Sequence, residues 1–443
     1  MKTKTNIFYP VLAVLALACF AVSSTAQADS GTWLANPTNG DWNTAANWSS
    51  NSVPNGSSDI ATFDFSNQTD ISISAPTTVA GIVFAAGASG FFYNITCKEG
   101  QSLSFVGTGI TNNSGTLQSF FTEGGSALTF SGSTTAEDVT IVSHGGMTTG
   151  APGGMTIFQD NAHAPPGGLL IANGGVNGGT GGLIEFNDQA TGRGAHVQVF
   201  GNGTLKVSGT FVAHHHTPLG SVEGDGLIVL GIEGLDVGGT NDSMIFSGVI
   251  SGFGVIEKNG TGTLTLAGAN TYNGKTIVNE GTLLTYHAGG FSTGGGQVNV
   301  YGGTLGGTGY INGTTTLGAR RGGSPTLSPG IDGPGRIHFG GAVIFEGGSI
   351  YQCELDSDTG EVDTFVAYTV SINSGAIFSF VDLGNTALPA GTVFTVIKKR
   401  SPFGFLGHFG NLPDGSTFTV GNNTFQASYE GGTNGRDLTL TVQ

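Results

Sequence analysis

Charge is scarce in this sequence, and basic charge is the scarcest. Only 10% of the 443 residues are charged, against about 25% in ordinary globular proteins. Fourteen basic residues face 30 acidic ones, a formal net charge of −16. Nucleic acid and anionic lipid both need a basic footprint, so neither is expected as a partner. Cysteine is nearly missing: beyond the first 28 residues only Cys97 and Cys353 remain. Two such thiols do not make a disulfide framework. Proline is sparse, at 14 residues. No later segment approaches 18 consecutive apolar residues, so no membrane-spanning helix is expected beyond the leader. No long window after residue 28 keeps a helical period. Neither H-E-x-x-H nor G-x-x-x-x-G-K-[ST] occurs.

What fills the chain is glycine, 79 residues in all, far above the usual share of about 7%. There is no Gly-X-Y period, which excludes collagen. Thr, Ser, Val, Ile and Phe lie between the glycines, a composition that favours β structure with many turns.

The first 28 residues read as a secretory signal. Lys2 and Lys4 precede an apolar run from Val11 to Val22, and Ala26-Gln27-Ala28 supplies a cleavage site before Asp29. Cys19 raises a lipoprotein alternative, but Ala16-Leu17-Ala18 is a poor lipobox. Cleavage leaves 12 basic and 30 acidic residues, a net charge of −18. The chain is therefore expected in the periplasm, at the cell surface or outside the cell.

Residues 29–100 hold all three tryptophans, Trp33, Trp42 and Trp48, in a turn-rich stretch. One reading is an N-terminal cap whose aromatics cover the open end of stacked strands. The other is a sugar-stacking platform. Residues 101–361 carry repeats. Phe105, Phe130, Phe158 and Phe186 are spaced 25, 28 and 28 residues apart, and Phe211 follows 25 later. A fixed period in the twenties points to a solenoid, in which these rings form an internal ladder. Between Gly252 and Leu284 the sequence gives short strands broken by Asn259-Gly260, Gly268-Ala269-Asn270, Asn273-Gly274 and Asn279-Glu280-Gly281. Residues 362–443 have longer strands and hairpin turns at Pro413-Asp414-Gly415 and Gly421-Asn422-Asn423, a β-rich end or cap. Cut at about 25 residues per coil, the chain gives about 16 coils and a rod of about 75 Å. Cys97 and Cys353 then sit about 50 Å apart, too far to pair.

Ser251 to Leu284 resembles the autotransporter-associated β-strand repeat of secreted bacterial proteins. The matching residues are Lys258-x-Gly260-x-Gly262-Thr263-Leu264-Thr265-Leu266, then Gly268-Ala269-Asn270-Thr271-Tyr272-x-Gly274 and Gly281-Thr282-Leu283. Trp42-Asn43-x-x-x-Asn47-Trp48 with Pro54 and Asp59 to Phe63 looks like the opening of such proteins, and Asn411 to Ser416 through Leu438 to Thr441 like their ending. The resemblance implies a right-handed parallel β-helix that is exported, with no catalytic residues to carry over. Autotransporters close with a translocating barrel of roughly 250 or more residues. Nothing of that size follows the repeats here, which reads against self-transport.

Candidate chemistry is thin. Asp160 and Asp188 each lie two residues after a ladder phenylalanine, with Glu185 nearby. On adjacent coils they stack about 5 Å apart, the separation of a retaining carboxylate pair. The competing reading is two solvated turn aspartates. His214-His215-His216 suggests a metal, yet alternation lets at most two converge and no nearby carboxylate completes a set, so an exposed loop is favoured. Asp356, Asp358 and Asp363 alternate in a way that suits structural calcium. Lys398-Lys399-Arg400 reads as an exposed turn.

Together these features predict an all-β, right-handed parallel solenoid with an N-terminal cap and a β-rich C-terminal end. The expected function is a non-enzymatic structural or adhesive protein of the surface or matrix, with no cofactor unless calcium. Its partners are undefined, with polysaccharide and other cell-surface components the candidates. The alternative is a carbohydrate-binding or carbohydrate-cleaving β-helix, a polysaccharide lyase or hydrolase.

Overall fold

A computed structural model of the chain describes residues 29–209, 216–286, 289–320 and 322–443. The predicted leader, Phe211, His214 and His215 lie outside the described residues. Among those residues helix is confined to two three-residue 3-10 turns, Ala45–Asn47 and Ala86–Ala88. No helix among the described residues is long and apolar enough to cross a membrane.

The rest is a parallel β-solenoid of about 13 turns. In the N-terminal half each coil contributes one strand to a ten-stranded sheet, from Gly31–Thr32 to Val249–Gly252. It contributes another to a fifteen-stranded sheet that starts at Asp70–Ile73. From His216–Pro218 an eight-stranded sheet forms a further side, ending at Thr369–Ile372. A seven-stranded sheet begins at Tyr310–Ile311, and its last strands turn antiparallel. Fewer coils form than the 25-residue count predicts. The antiparallel end is not made of coils, and several coils run to 28 residues.

The phenylalanine ladder explains why successive coils stay in register. Phe105 pairs with Phe130, Phe130 with Phe158 and Phe158 with Phe186 across parallel strands. All four rings point inward and are buried. They stack at 4.7, 4.8 and 5.1 Å with interplanar angles of 15°, 10° and 11°. A one-residue slip would turn every ring to solvent, so the ladder fixes register as well as burying area. The partner of Phe186 is Val207, 21 residues on, so the next coil is shorter than the spacing to Phe211 assumes.

The Gly252–Leu284 stretch forms strands Ile256–Lys258, Thr263–Leu266, Thr276–Val278 and Thr282–Thr285. Lys258 pairs with Val278 and Leu264 with Leu283, so this coil needs about twenty residues. Lys258 points into the coil and is fully buried. Its Nζ donates to the carbonyls of Asn259 and Gly260 at 2.7 Å and of Glu280 at 3.4 Å. Burial lowers its pKa to about 8. The ammonium thus answers carbonyls that the turns leave without strand partners. Gly260 has φ +67°, and a Cβ there would lie 2.0 Å from the Gly238 carbonyl oxygen.

Cys97 and Cys353 are free, buried thiols in the second and thirteenth strands of the fifteen-stranded order. Parallel stacking therefore keeps them apart, as expected for a rod.

Phe158 contacts rings on both sides, whereas Phe403 is 74% exposed. Phe158→Ala should cost about 3–5 kcal/mol, read as a lower urea midpoint. Phe403→Ala should cost less than about 0.5 kcal/mol by the same measurement. Equal shifts would mean the ladder does not hold the coils.

Candidate functional site

The structure places the three tryptophans inside the N-terminal end. Trp33, Trp42 and Trp48 are 1%, 0% and 2% exposed. They pack on one another and on Phe63 with centroids 4.8–6.0 Å apart. Their indole N–H groups donate to the carbonyls of Gln68, Pro54 and Trp42. No indole face is open to a sugar ring, so the stacking-platform reading is corrected. Between them Asn47 is buried, with Oδ1 accepting from Thr38 N–H and Oγ1 and Nδ2 donating to Asn39 Oδ1 and the Asp41 carbonyl.

Asp160 and Asp188 do fall on adjacent coils, since Phe158 and Phe186 are in register. They do not face one another as a catalytic pair. Both have left-handed backbones, φ 58° and 56°. The Gly132 amide donates to Asp160 Oδ2 at 2.8 Å, and the Asp160 amide to Asp188 Oδ2 at 3.4 Å. Each carboxylate ties its turn to the turn of the previous coil. Glu185 is paired with Lys206 in the next strand, at 2.7 Å.

The calcium candidates separate. Asp363 is buried and accepts amide hydrogens from Gly335 at 2.7 Å and Glu354 at 3.0 Å. Burial pushes its carboxyl up to about 7 despite those donors. Asp356 accepts from the Asp358 amide within their own hairpin turn, and Asp358 accepts from Thr386 Oγ1 and the Asn385 amide. The alternating spacing therefore does not gather the three carboxylates. The basic triplet is likewise not a free turn. Lys399 is buried and donates to the Phe403 carbonyl, and Arg400 donates to that of Phe339.

A different cluster does come together. His216 is half-buried on a strand rather than in an exposed loop, which corrects the reading of the histidine triplet. Its Nδ1 lies 2.7 Å from Asp236 Oδ1 and 3.0 Å from Glu257 Oε2. Both neighbours accept, so Nδ1 carries the proton. The hydrogen bonds to Asp236 and then Glu257 raise the imidazole to about 10, and the same contact with His216 lowers Glu257. Asp236 and Glu257 are directly in register on neighbouring strands, facing outward between inward Leu235, Val237, Ile256 and Lys258. Asn279 donates its side-chain amide to Glu257 Oε1.

The cluster opens onto a groove. One cavity of about 600 Å³ is lined by His216, Asp236, Glu257, Lys275, Asn279, Asn299, Tyr301 and Arg320. A second, of about 650 Å³, shares Glu257, Asn279, Tyr301 and Arg320 and continues across the turns that follow. Arg320 lies over the Tyr301 ring, 3.5 Å from its centroid. The groove is polar and combines hydrogen-bonding groups with one aromatic.

Residues 256–284, which supply Glu257, Lys275 and Asn279 to this groove, match the passenger-associated transport repeat family. The chain carries an autotransporter-type passenger repeat. An extracellular serine protease of Serratia marcescens is 36% identical over 133 residues, covering 30% of this chain and 12% of that protein. The adhesin BmaC autotransporter of Brucella suis biovar 1 is 44% identical over 91 residues, covering 20% of this chain and 3% of the adhesin. This passenger-repeat chain thus spans only a small part of the curated relatives it matches. Within it Gly290-Phe291-Ser292-Thr293-Gly294 has the G-x-S-x-G spacing of a nucleophile elbow. Ser292 is buried, donates to the Tyr286 carbonyl, and does not sit on the strand-to-helix turn that exposes a nucleophile.

If Asp160 is a turn tie, its acceptor and its left-handed backbone matter, not its acidity. Asp160→Ala should cost about 1–2 kcal/mol in a denaturation series. Asp160→Asn, which keeps both features, should stay within about 0.5 kcal/mol.

Proposed function

We propose that this passenger-repeat solenoid is an exported, non-enzymatic protein that works by adhesion at the cell surface. Its binding face would be the groove on the eight-stranded sheet, and its ligand a polysaccharide. The observation that carries this reading is the pair of adjoining cavities sharing Glu257, Asn279, Tyr301 and Arg320. A long polar trough along a stack of coils suits an extended ligand rich in hydroxyls. Carboxylates and side-chain amides can bond those hydroxyls, and Tyr301 offers apolar area. The adhesin relative supports a surface role, although its name describes a protein of which this chain matches 3%. Export is supported by the leader in the sequence and by secreted relatives.

The alternative, a polysaccharide-cleaving solenoid, would need a carboxylate pair free to work. Asp160 and Asp188 are instead committed to backbone amides.

Binding of the purified chain to a glycan array tests both readings. The adhesive reading expects retention of polysaccharide that falls at least about tenfold, or 1.4 kcal/mol, in a Tyr301→Ala, Arg320→Ala variant. Unchanged binding in that variant would move the site elsewhere. Release of reducing ends or unsaturated products that stops in Asp188→Asn would replace adhesion with catalysis.

A further inference from the structure

We propose that His216, Asp236 and Glu257 form a divalent-cation site of the zinc class, clipping three successive coils together. The proposal does not depend on the groove being a glycan site.

The geometry is the first support. Each residue offers one ligand atom, and the three atoms lie within 4.8 Å of one another. They come from strands His216–Pro218, Gly234–Val237 and Ile256–Lys258, which are consecutive in the eight-stranded sheet. Zinc bonds of about 2.0–2.2 Å place tetrahedral ligands about 3.3–3.6 Å apart. The present contacts of 2.7 and 3.0 Å need to widen by only roughly half an ångström, within the reach of side-chain rotation. One imidazole nitrogen with two carboxylate oxygens suits zinc. Calcium prefers six to eight oxygens.

The charge pattern is the second support. Outward carboxylates directly in register on neighbouring strands repel. Elsewhere the solenoid sets Glu185 opposite Lys206 at an outward rung. At Asp236 and Glu257 two acids are opposed instead. Protonated His216 offsets one of the two negative charges; a dication that takes the place of the Nδ1 proton, which leaves to solvent, would offset both and keep the imidazole neutral.

Two neighbours shape the site. Gly234 is the in-register partner of His216, and a Cβ there would meet the imidazole Cδ2 at 2.5 Å. The missing side chain lets the ring lie across the sheet toward Asp236. Asn279 holds Oε1 of Glu257, leaving Oε2 directed at Nδ1, the outer-shell support that ligating carboxylates usually have. The groove beside the cluster leaves room for a fourth ligand from solvent.

The test is calorimetric titration of the chelator-treated full chain with zinc chloride, paired with thermal unfolding. One zinc per chain and a raised midpoint are expected. Asp236→Asn and Glu257→Gln should each weaken binding at least about tenfold, a loss of 1.4 kcal/mol. Gly234→Ala should weaken it as well, because its Cβ displaces the ring, and it carries the test if either carboxamide variant fails to fold. A His214→Ala, His215→Ala variant should bind as the parent does. Failure to bind zinc would overturn the proposal. So would affinity unchanged in the Asp236, Glu257 and Gly234 variants, or loss of zinc only in the His214, His215 variant. Glycan retention by the zinc-free chain separates this outcome from the adhesive reading.

Discussion

Everything in this molecule follows from one constraint: each coil must lie in register on the one before it. Parallel pairing puts residue on residue along the rod, so a choice made in one coil limits the same position in the next. Inside, the constraint rewards identity. Phenylalanine stacks on phenylalanine from Phe105 to Phe186, with rings nearly parallel. At the ends it creates exposed edges, which invite pairing with other chains. The buried tryptophan cluster closes over Phe63 at one end. At the other the chain stops stacking, and strands Asp437–Val442, Asn423–Gly431 and Thr417–Val420 fold back antiparallel.

Outside, the same constraint explains the poverty of charge. A charge on an outward rung faces the corresponding residue only one strand spacing away, about 4.8 Å. Repeating it along a stack accumulates repulsion, and a sequence built from repeats avoids it by using Thr, Ser and Asn. Two outward ion pairs are opposed across neighbouring coils, Lys98 with Glu123 and Lys206 with Glu185. Turn aspartates escape the problem differently: Asp160 and Asp188 spend their carboxylates on amides of the preceding coil. The in-register Asp236 and Glu257 stand out against this pattern and need the positive charge that His216 supplies.

How much of this was legible depends on the constancy of the coil. Between Phe105 and Phe186 the spacing is nearly fixed, so alignment of the phenylalanines recovered both strands and register. After Phe186 the coils shorten, and Val207 takes the place that a constant spacing would give to Phe211. His216, Asp236 and Glu257 are 20 and 21 residues apart, and no short-range motif spans such gaps. Their meeting could be found only once the shorter coils fixed Asp236 opposite Glu257. The tryptophans and the calcium candidates erred the other way. Residue type suggested ligands, but burial in one case and separate amide partners in the other had already committed those side chains.

The matched repeat also shows why recognising the fold does not disclose a ligand. Within residues 256–284 the features that carry the resemblance serve the interior and the turns. Lys258 answers turn carbonyls, Gly260 accepts a left-handed backbone against Gly238, and Leu264 and Leu283 stack inside. Glu257 and Asn279 belong to the same stretch but occupy outward positions beside those inward residues. Stacking constrains the inner set and leaves the outer set free to vary. A solenoid of this kind can therefore keep its repeat while exchanging what its surface holds, and any specificity must reside in residues the repeat does not dictate.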